Sequence, residues 1–185
     1  MNTEASALMA RTTDPPPAER SVYCLFCKTG REQEIVRALA LRDIACMIAY
    51  SSRIVVRNGK EIVEKRRLLP GYVFLETEQR LSPGVAFLQS NPDCLRLLGY
   101  EYGEYALRGS DLAFYQWLKK RGGMVEISRV YREGDLIRVL DGPLKAFEGR
   151  IVAVNKKRKC VAISLGENSL MNKIWCSIEY IERAE

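Results

Sequence analysis

The chain contains no histidine in 185 residues. That removes the commonest general base, along with every Ser-His or Cys-His arrangement for nucleophilic catalysis. It also lacks a Gly-x-x-x-x-Gly-Lys-Ser/Thr loop for cradling phosphates and a Gly-x-Gly-x-x-Gly turn after a strand. Carboxylates are present, but none forms an interpretable acid/base pair. The chain therefore reads as a non-enzyme with no catalytic residues. No stretch approaches the roughly 20 uninterrupted apolar residues that a membrane helix needs. Residues 1–20 carry Pro15-Pro16-Pro17 and no apolar run long enough for a signal peptide, so they read as a disordered tail. The expectation is a soluble, cytoplasmic protein.

Six cysteines are present, and Cys24-x-x-Cys27 invites a zinc or redox reading. A zinc site wants a second Cys or His pair, yet Cys46, Cys94, Cys160 and Cys176 are scattered singly. Residues three apart on a strand also point to opposite faces. Buried thiols in a reducing compartment account for the pair better, and neither a metal nor a cofactor is implied.

Apolar residues make up 47% of the chain, enough for real cores, and the net charge of +6 leans mildly toward a polyanionic neighbourhood. Ser21–Lys28 reads as a strand, being rich in Val, Tyr and Phe. Arg31–Leu41 reads as a helix, with Ile35, Val36, Leu39 and Ala40 at helical spacing. Thr29 is its candidate cap, and Glu32 and Glu34 suit its dipole. Cys46–Tyr50 is strand-like. Arg53–Arg57 and Glu61–Leu68 flank Asn58-Gly59, a strong hairpin signal, with charge on both arms.

Pro70-Gly71 then turns the chain into Tyr72–Glu76. Ser82–Gln89 reads as a helix capped by Ser82 with Pro83 at its first position. Leu95–Leu98 is a short strand, and Ser110–Lys120 is a third helix, ended by Gly122-Gly123. Residues 124–133 read as a linker or a leading strand. From Gly134 onward the chain is strand and turn only: Leu136–Leu140, Arg150–Asn155, Cys160–Leu165 and Ile174–Ile178. Short strands this dense predict a small β-barrel. The fold class is α+β, with a mixed first domain over 21–123 and a barrel over 134–185.

Three motifs carry a family resemblance. Val22-Tyr23-Cys24-Leu25-Phe26-Cys27-Lys28-x-Gly30 resembles the opening strand of the N-terminal (NGN) domain in the NusG/RfaH family of transcription elongation factors. Leu69-Pro70-Gly71-Tyr72-Val73-Phe74 resembles that domain's aromatic-Pro-Gly-Tyr strand. Gly134-Asp135-x-Ile137-Arg138-Val139-x-Asp141-Gly142-Pro143, with Phe147-x-Gly149, resembles the KOW motif of the family's SH3-like C-terminal barrel.

There are departures. Val22 stands where the family usually has Trp, and Leu144 where Phe commonly follows Gly-Pro. Ser164–Lys173 does not resemble the Phe-Gly-Arg-x-Thr-Pro stretch by which housekeeping members dock a ribosomal protein and Rho, so both partners are in doubt. The departures resemble a specialised LoaP-like or RfaH-like antiterminator.

Tyr72-Val73-Phe74-Leu75 is apolar on both faces, so its second face is either packed by a helix or open to a partner. The resemblance implies a partner: RNA polymerase, gripped at the β′ clamp helices by Phe26, Leu69, Pro70, Tyr72 and Phe74, with Leu95 beside them. It also places Lys28 and Arg31, joined by Arg37, next to the non-template DNA strand. Lys156-Lys157-Arg158-Lys159, with Arg150 one strand away, is either a solvated turn or a contact for a nascent RNA hairpin. The whole implies a monomeric elongation and antitermination factor acting on selected operons. The rival reading is a ribosome-associated, RNA-binding KOW protein acting in translation.

Overall fold

The computed structural model describes residues 20–181 except 102 and 135; the expected tail over 1–20 lies, save for Arg20, outside the described residues. Strand β1 (Ser21–Cys27) is the centre of the first domain. It pairs antiparallel with β5 (Tyr72–Thr77) on one side and β6 (Cys94–Leu97) on the other, and β2 (Ala45–Met47) completes a sheet of order β2-β5-β1-β6. Period-two alternation gives this sheet two apolar faces. On one face Tyr23, Leu25, Cys27, Val73 and Leu75 pack against Ile35 and Leu39 of helix α1 (Glu32–Ala40) and Leu88 of α2 (Ala86–Ser90). On the other, Val22, Cys24 and Phe74 pack against Phe114, Tyr115 and Leu118 of α3 (Gly109–Lys119). Cys24 and Cys27 thus lie in separate cores on opposite faces, both as free thiols.

Two local expectations need correction. Thr29 does not cap α1: the residue before the helix is Arg31, with no side-chain cap, and the Gly30 N–H donates instead to Glu32 Oε2 at 2.8 Å. The helix expected over Ser82–Gln89 shortens to Ala86–Ser90, because Val85 is extended (φ −64°, ψ 122°) and breaks it from the Ser-Pro-Gly turn.

The hairpin forms as read. β3 (Tyr50–Arg57) and β4 (Lys60–Arg67) pair from Tyr50↔Arg67 to Arg57↔Lys60 around a two-residue turn. Asn58 (φ 51°) and Gly59 (φ 74°) both sit in the left-handed region, as the type I′ turn demands.

Residues 124–133 are two strands. β7 (Met124–Val125) adds parallel to β3, whereas β8 (Ser128–Glu133) belongs to the C-terminal sheet. Only Glu126 and Ile127 separate the two sheets. With β9 (Leu136–Asp141), β10 (Ile151–Asn155), β11 (Cys160–Ser164) and β12 (Lys173–Tyr180), the barrel sheet runs β10-β11-β12-β8-β9. A 3-10 turn over Pro143–Arg150 links β9 to β10. Gly142 (φ 93°) is required at its start, since a Cβ there would sit 2.7 Å from the Ser128 Cα; the Ser128 hydroxyl accepts the Leu144 N–H at 3.0 Å.

Apolar contact continues from α3 into the barrel. Trp117 and Phe147 meet edge-on with centroids 4.9 Å apart, and Phe114 and Phe147 at 6.2 Å. Among the described residues no helix is long and apolar enough to cross a membrane.

Candidate functional site

The end of the first sheet that α3 does not cover holds the candidate surface. Phe26 and Tyr72 are opposite one another in the β1–β5 register, both half-buried, with ring centroids 5.1 Å apart. β6 sets Arg96, not Leu95, opposite Phe26. Pro70 is exposed at the turn before β5. Gly71 is fixed by space as well as by its φ of 83°: a Cβ would meet the Phe26 ring and the Cys27 carbonyl at 2.9 Å each. Burial pushes the Tyr72 phenol up from its ordinary pKa, partly opposed by the Arg96 guanidinium.

The other residues expected here separate by burial. Phe74 is only 1% exposed and packs on Tyr115 with centroids 5.3 Å apart, so it is a core residue that supports the surface from below. Leu69 is likewise buried. Leu95 is well exposed, but the register turns it away from the Phe26–Tyr72 pair.

A buried carboxylate that composition and periodicity could not single out holds this end together. Glu32 is wholly buried; its Oε1 accepts the Gly71 N–H at 2.7 Å while Oε2 accepts that of Gly30. Arg67 Nε stands 3.2 Å from Oε2, off the direction a hydrogen bond needs, so that contact is charge on charge. One side chain thus ties the turn before α1, the Pro70-Gly71 turn and the end of β4.

Lys28 and Arg31 stand side by side, as expected, but an acid of this chain already faces them. Asp93 lies 3.1 Å from Lys28 Nζ and 3.8 Å from Arg31 Nε, and Arg31 also pairs with Glu34. The cations at the start of α1 are therefore locally balanced. Arg37 is exposed one to two turns along.

The Lys156–Lys159 run forms the turn between β10 and β11 and is exposed, with Lys159 at φ 49°. Lys156 lies over the Tyr180 ring at 5.3 Å, and Lys159 reaches Glu61 of the hairpin at 3.4 Å. Arg150 does not join it. It sits at the far end of β10, about 20 Å away at a strand's rise of ~3.3 Å per residue.

A second buried carboxylate joins the domains. Asp111, in the first turn of α3, accepts the Tyr100 hydroxyl at 2.7 Å and, from the barrel, the Ser169 hydroxyl and the Leu170 N–H at 3.0 Å. Burial pushes the Tyr100 phenol up to about 12, with the hydrogen bond to Asp111 adding to the rise. The gripped loop lies within Ser164–Lys173, the segment in which the sequence departs from the housekeeping pattern. Among the described residues no cluster of three or more His, Cys, Asp or Glu could hold a metal.

Residues 21–112 match the family model "NusG: Transcription termination factor nusG". The chain is 23% identical over 153 residues to the transcription termination/antitermination protein NusG of Rickettsia prowazekii, covering 77% of this chain and 79% of that protein. It is 25% identical over 158 residues to the Pseudomonas aeruginosa protein of the same name, covering 77% and 86%. A solved structure titled "Domain interaction in Thermotoga maritima NusG" superposes with a TM-score of 0.45 at 18% identity, covering 86% of this chain and 94% of that one. The matched family model and these relatives support membership of the NusG family, whose proteins are transcription factors and not enzymes.

Proposed function

We propose that this protein is an elongation and antitermination factor that binds RNA polymerase through its first domain and keeps transcription of selected operons processive. The observation that carries the reading is the half-buried Phe26–Tyr72 pair, left uncovered at one end of the sheet and braced from below by Phe74 and Glu32. Aromatic groups that are rigidly held yet partly open are the usual anchors of protein contacts. The polymerase element they would grip is the pair of β′ clamp helices, with Pro70 and Arg96 on the rim. A factor seated there acts by bridging the clamp, which disfavours the open, paused enzyme, and it needs no chemistry of its own.

Lys28, Arg31 and Arg37 would then face the displaced non-template strand. Asp93 and Glu34 already face two of them, so this contact is a weak one that backbone phosphates and stacked bases provide. The barrel would contact RNA through Lys156–Lys159 or hold a protein partner, tethered at high effective concentration. The test is a pull-down from extract with the full chain, followed by single-round transcription across pause and terminator sites. Recovery of polymerase subunits with increased readthrough is the expected result. Recovery of ribosomes without polymerase would instead favour the translational reading.

A further inference from the structure

Between the β3–β4 hairpin and the outer face of the barrel lies a cleft of about 340 Å³, lined from one side by Arg53, Arg66 and Arg67 and from the other by Asn155, Arg158 and Trp175. Its volume is at the lower end of the range for sites that enclose one small organic unit. Four guanidinium groups line it, and no carboxylate does among the described lining residues. Two of the four are offset nearby: Arg67 by Glu32 and Arg66 by Glu64, which it shares with Arg57. Arg53 and Arg158 have no ion pair among the described residues, although they come from different domains. Both pull on the same thiol: burial pushes Cys160 up, and the two guanidinium charges oppose that rise.

The aromatic group is the second, independent observation. Ile174, Cys176 and Ile178 of β12 point into the barrel, so Trp175 points out and is 47% exposed. A solvated surface accounts for arginines. It does not account for a tryptophan standing open in the same cleft as Arg53 and Arg158, neither of which is in an ion pair among the described residues. An open indole face next to convergent cations is the arrangement that takes a stacked base and its phosphates.

We propose that this cleft binds single-stranded nucleic acid, with one base stacked on Trp175 and the adjoining phosphates held by Arg53, Arg66 and Arg158. The site is made by both domains, so an occupied strand holds them together. The proposal rests on the reading that the protein works beside nucleic acid at the polymerase, but not on which surface grips the polymerase.

The chain has two tryptophans. A full-length Trp117→Phe variant therefore leaves Trp175 as the sole indole reporter, while anisotropy of labelled 12-mer oligo(U) and oligo(dT) reads binding to the unaltered chain. Both oligomers should quench Trp175 saturably, because stacking and phosphate contacts do not require a particular sugar. Trp175→Ala should weaken binding about fivefold or more, and Trp175→Phe should restore most of it. Arg53→Gln should weaken binding and flatten the log–log salt dependence by about 0.7. Thermal melts of all variants must match the parent.

Lys120→Gln, outside both the cleft and the Lys156–Lys159 turn, should leave the Trp175 quench in place; if it weakens the quench as much as Arg53→Gln does, binding reads general surface charge and the cleft is not the site. An unquenched Trp175 at saturating oligomer, or parental affinity in both Arg53→Gln and Trp175→Ala, overturns the proposal. So does equal quenching by UMP at the same concentration, which would make this a mononucleotide site. A chain that pulls down polymerase yet fails these titrations loses the cleft and keeps its proposed function.

Discussion

Replacing Glu32 by Ala should be among the most damaging single changes in the first domain, although the residue looks like an ordinary first-turn acid. Its carboxylate accepts two backbone N–H groups and faces the Arg67 guanidinium. A hydrogen bond to a charged group contributes about 1.5–3 kcal/mol. The Gly71 bond is buried, so its donor finds no water when the acceptor is removed; the Gly30 donor is only partly buried and regains some. Arg67 keeps about a third of its side chain in solvent, which lessens the cost of leaving it unpaired. The sum is about 3–5 kcal/mol, in line with removing one member of a buried pair.

With a urea slope of about 2 kcal/mol/M, the unfolding midpoint should fall by about 2 M, as read by circular dichroism. Glu34→Ala is the control. If the two acids served only the helix dipole, both variants would lose about 0.5 kcal/mol. A Glu32→Ala midpoint within about 0.5 M of the Glu34→Ala midpoint would refute the reasoning, since the two turns would not depend on the carboxylate. Glu32→Gln should recover part of the loss, because an amide can accept from one of the two N–H groups but presents NH₂ to the other.

Tyr72→Ala should reduce polymerase affinity by about 1–3 kcal/mol with an unchanged melt, whereas Phe74→Ala should cost about 3–5 kcal/mol of stability. Parallel pull-down titrations and thermal melts separate the two, and a native-like Phe74→Ala melt would contradict its place in the core. Hydrogen bonds from Lys119 and Tyr115 hold the Glu76 carboxyl below its ordinary pKa of 4.5. A depressed folded-state pKa stabilises the fold above the unfolded value, and that stability is lost as pH falls through the folded one. Glu76→Gln should therefore be less stable than the parent at pH 7, with the gap closing below pH 4.5 in a melt series; a constant gap would mean that charge is not the cause. Asp111→Ala should raise amide exchange across residues 166–172 while β11 and β12 keep their protection, as hydrogen-exchange mass spectrometry would register.

Much of this architecture was legible because local chemistry decided it. Asn58-Gly59 fixes a two-residue turn, and that turn fixes the register of the whole hairpin. Likewise, β1 and the barrel strands follow from β-branched and aromatic runs bounded by glycine. Helix α2 was overread because Ser-Pro is a good helix opening in isolation, while the extended Val85 that breaks it is a tertiary choice. The site was legible only in outline. Apolarity on both faces of Tyr72–Leu75 leaves the second face either packed by a helix or open to a partner, and does not say that α3 takes Phe74 and leaves Tyr72 half open. Lys28 and Arg31 seemed unbalanced because Asp93 lies more than sixty positions away in sequence. The same holds for Glu32, whose partner Gly71 is 39 residues on, and for Asp111, whose partners are 58 and 59 on. Single residues meeting at long range leave no periodic signature.

The contact between the domains has the character of one that can open. Its apolar part includes the rings of Phe147, Trp117 and Phe114, within a buried cluster that spans both domains. Among the described residues the buried Trp117 indole N–H finds no acceptor, so the closed arrangement forgoes a hydrogen bond that exposure to water restores. Asp111 loses two donors when the barrel leaves, but it keeps Tyr100 and becomes accessible to solvent. The Lys159–Glu61 pair is exposed on both sides and adds little. Partly polar contacts of this kind within one chain are typically transient. The loop that Asp111 grips is also the segment whose sequence departs from the housekeeping docking stretch. In the closed arrangement that loop is occupied by the chain's own first domain, so a partner recruited through it would have to compete with a carboxylate already holding two hydrogen bonds.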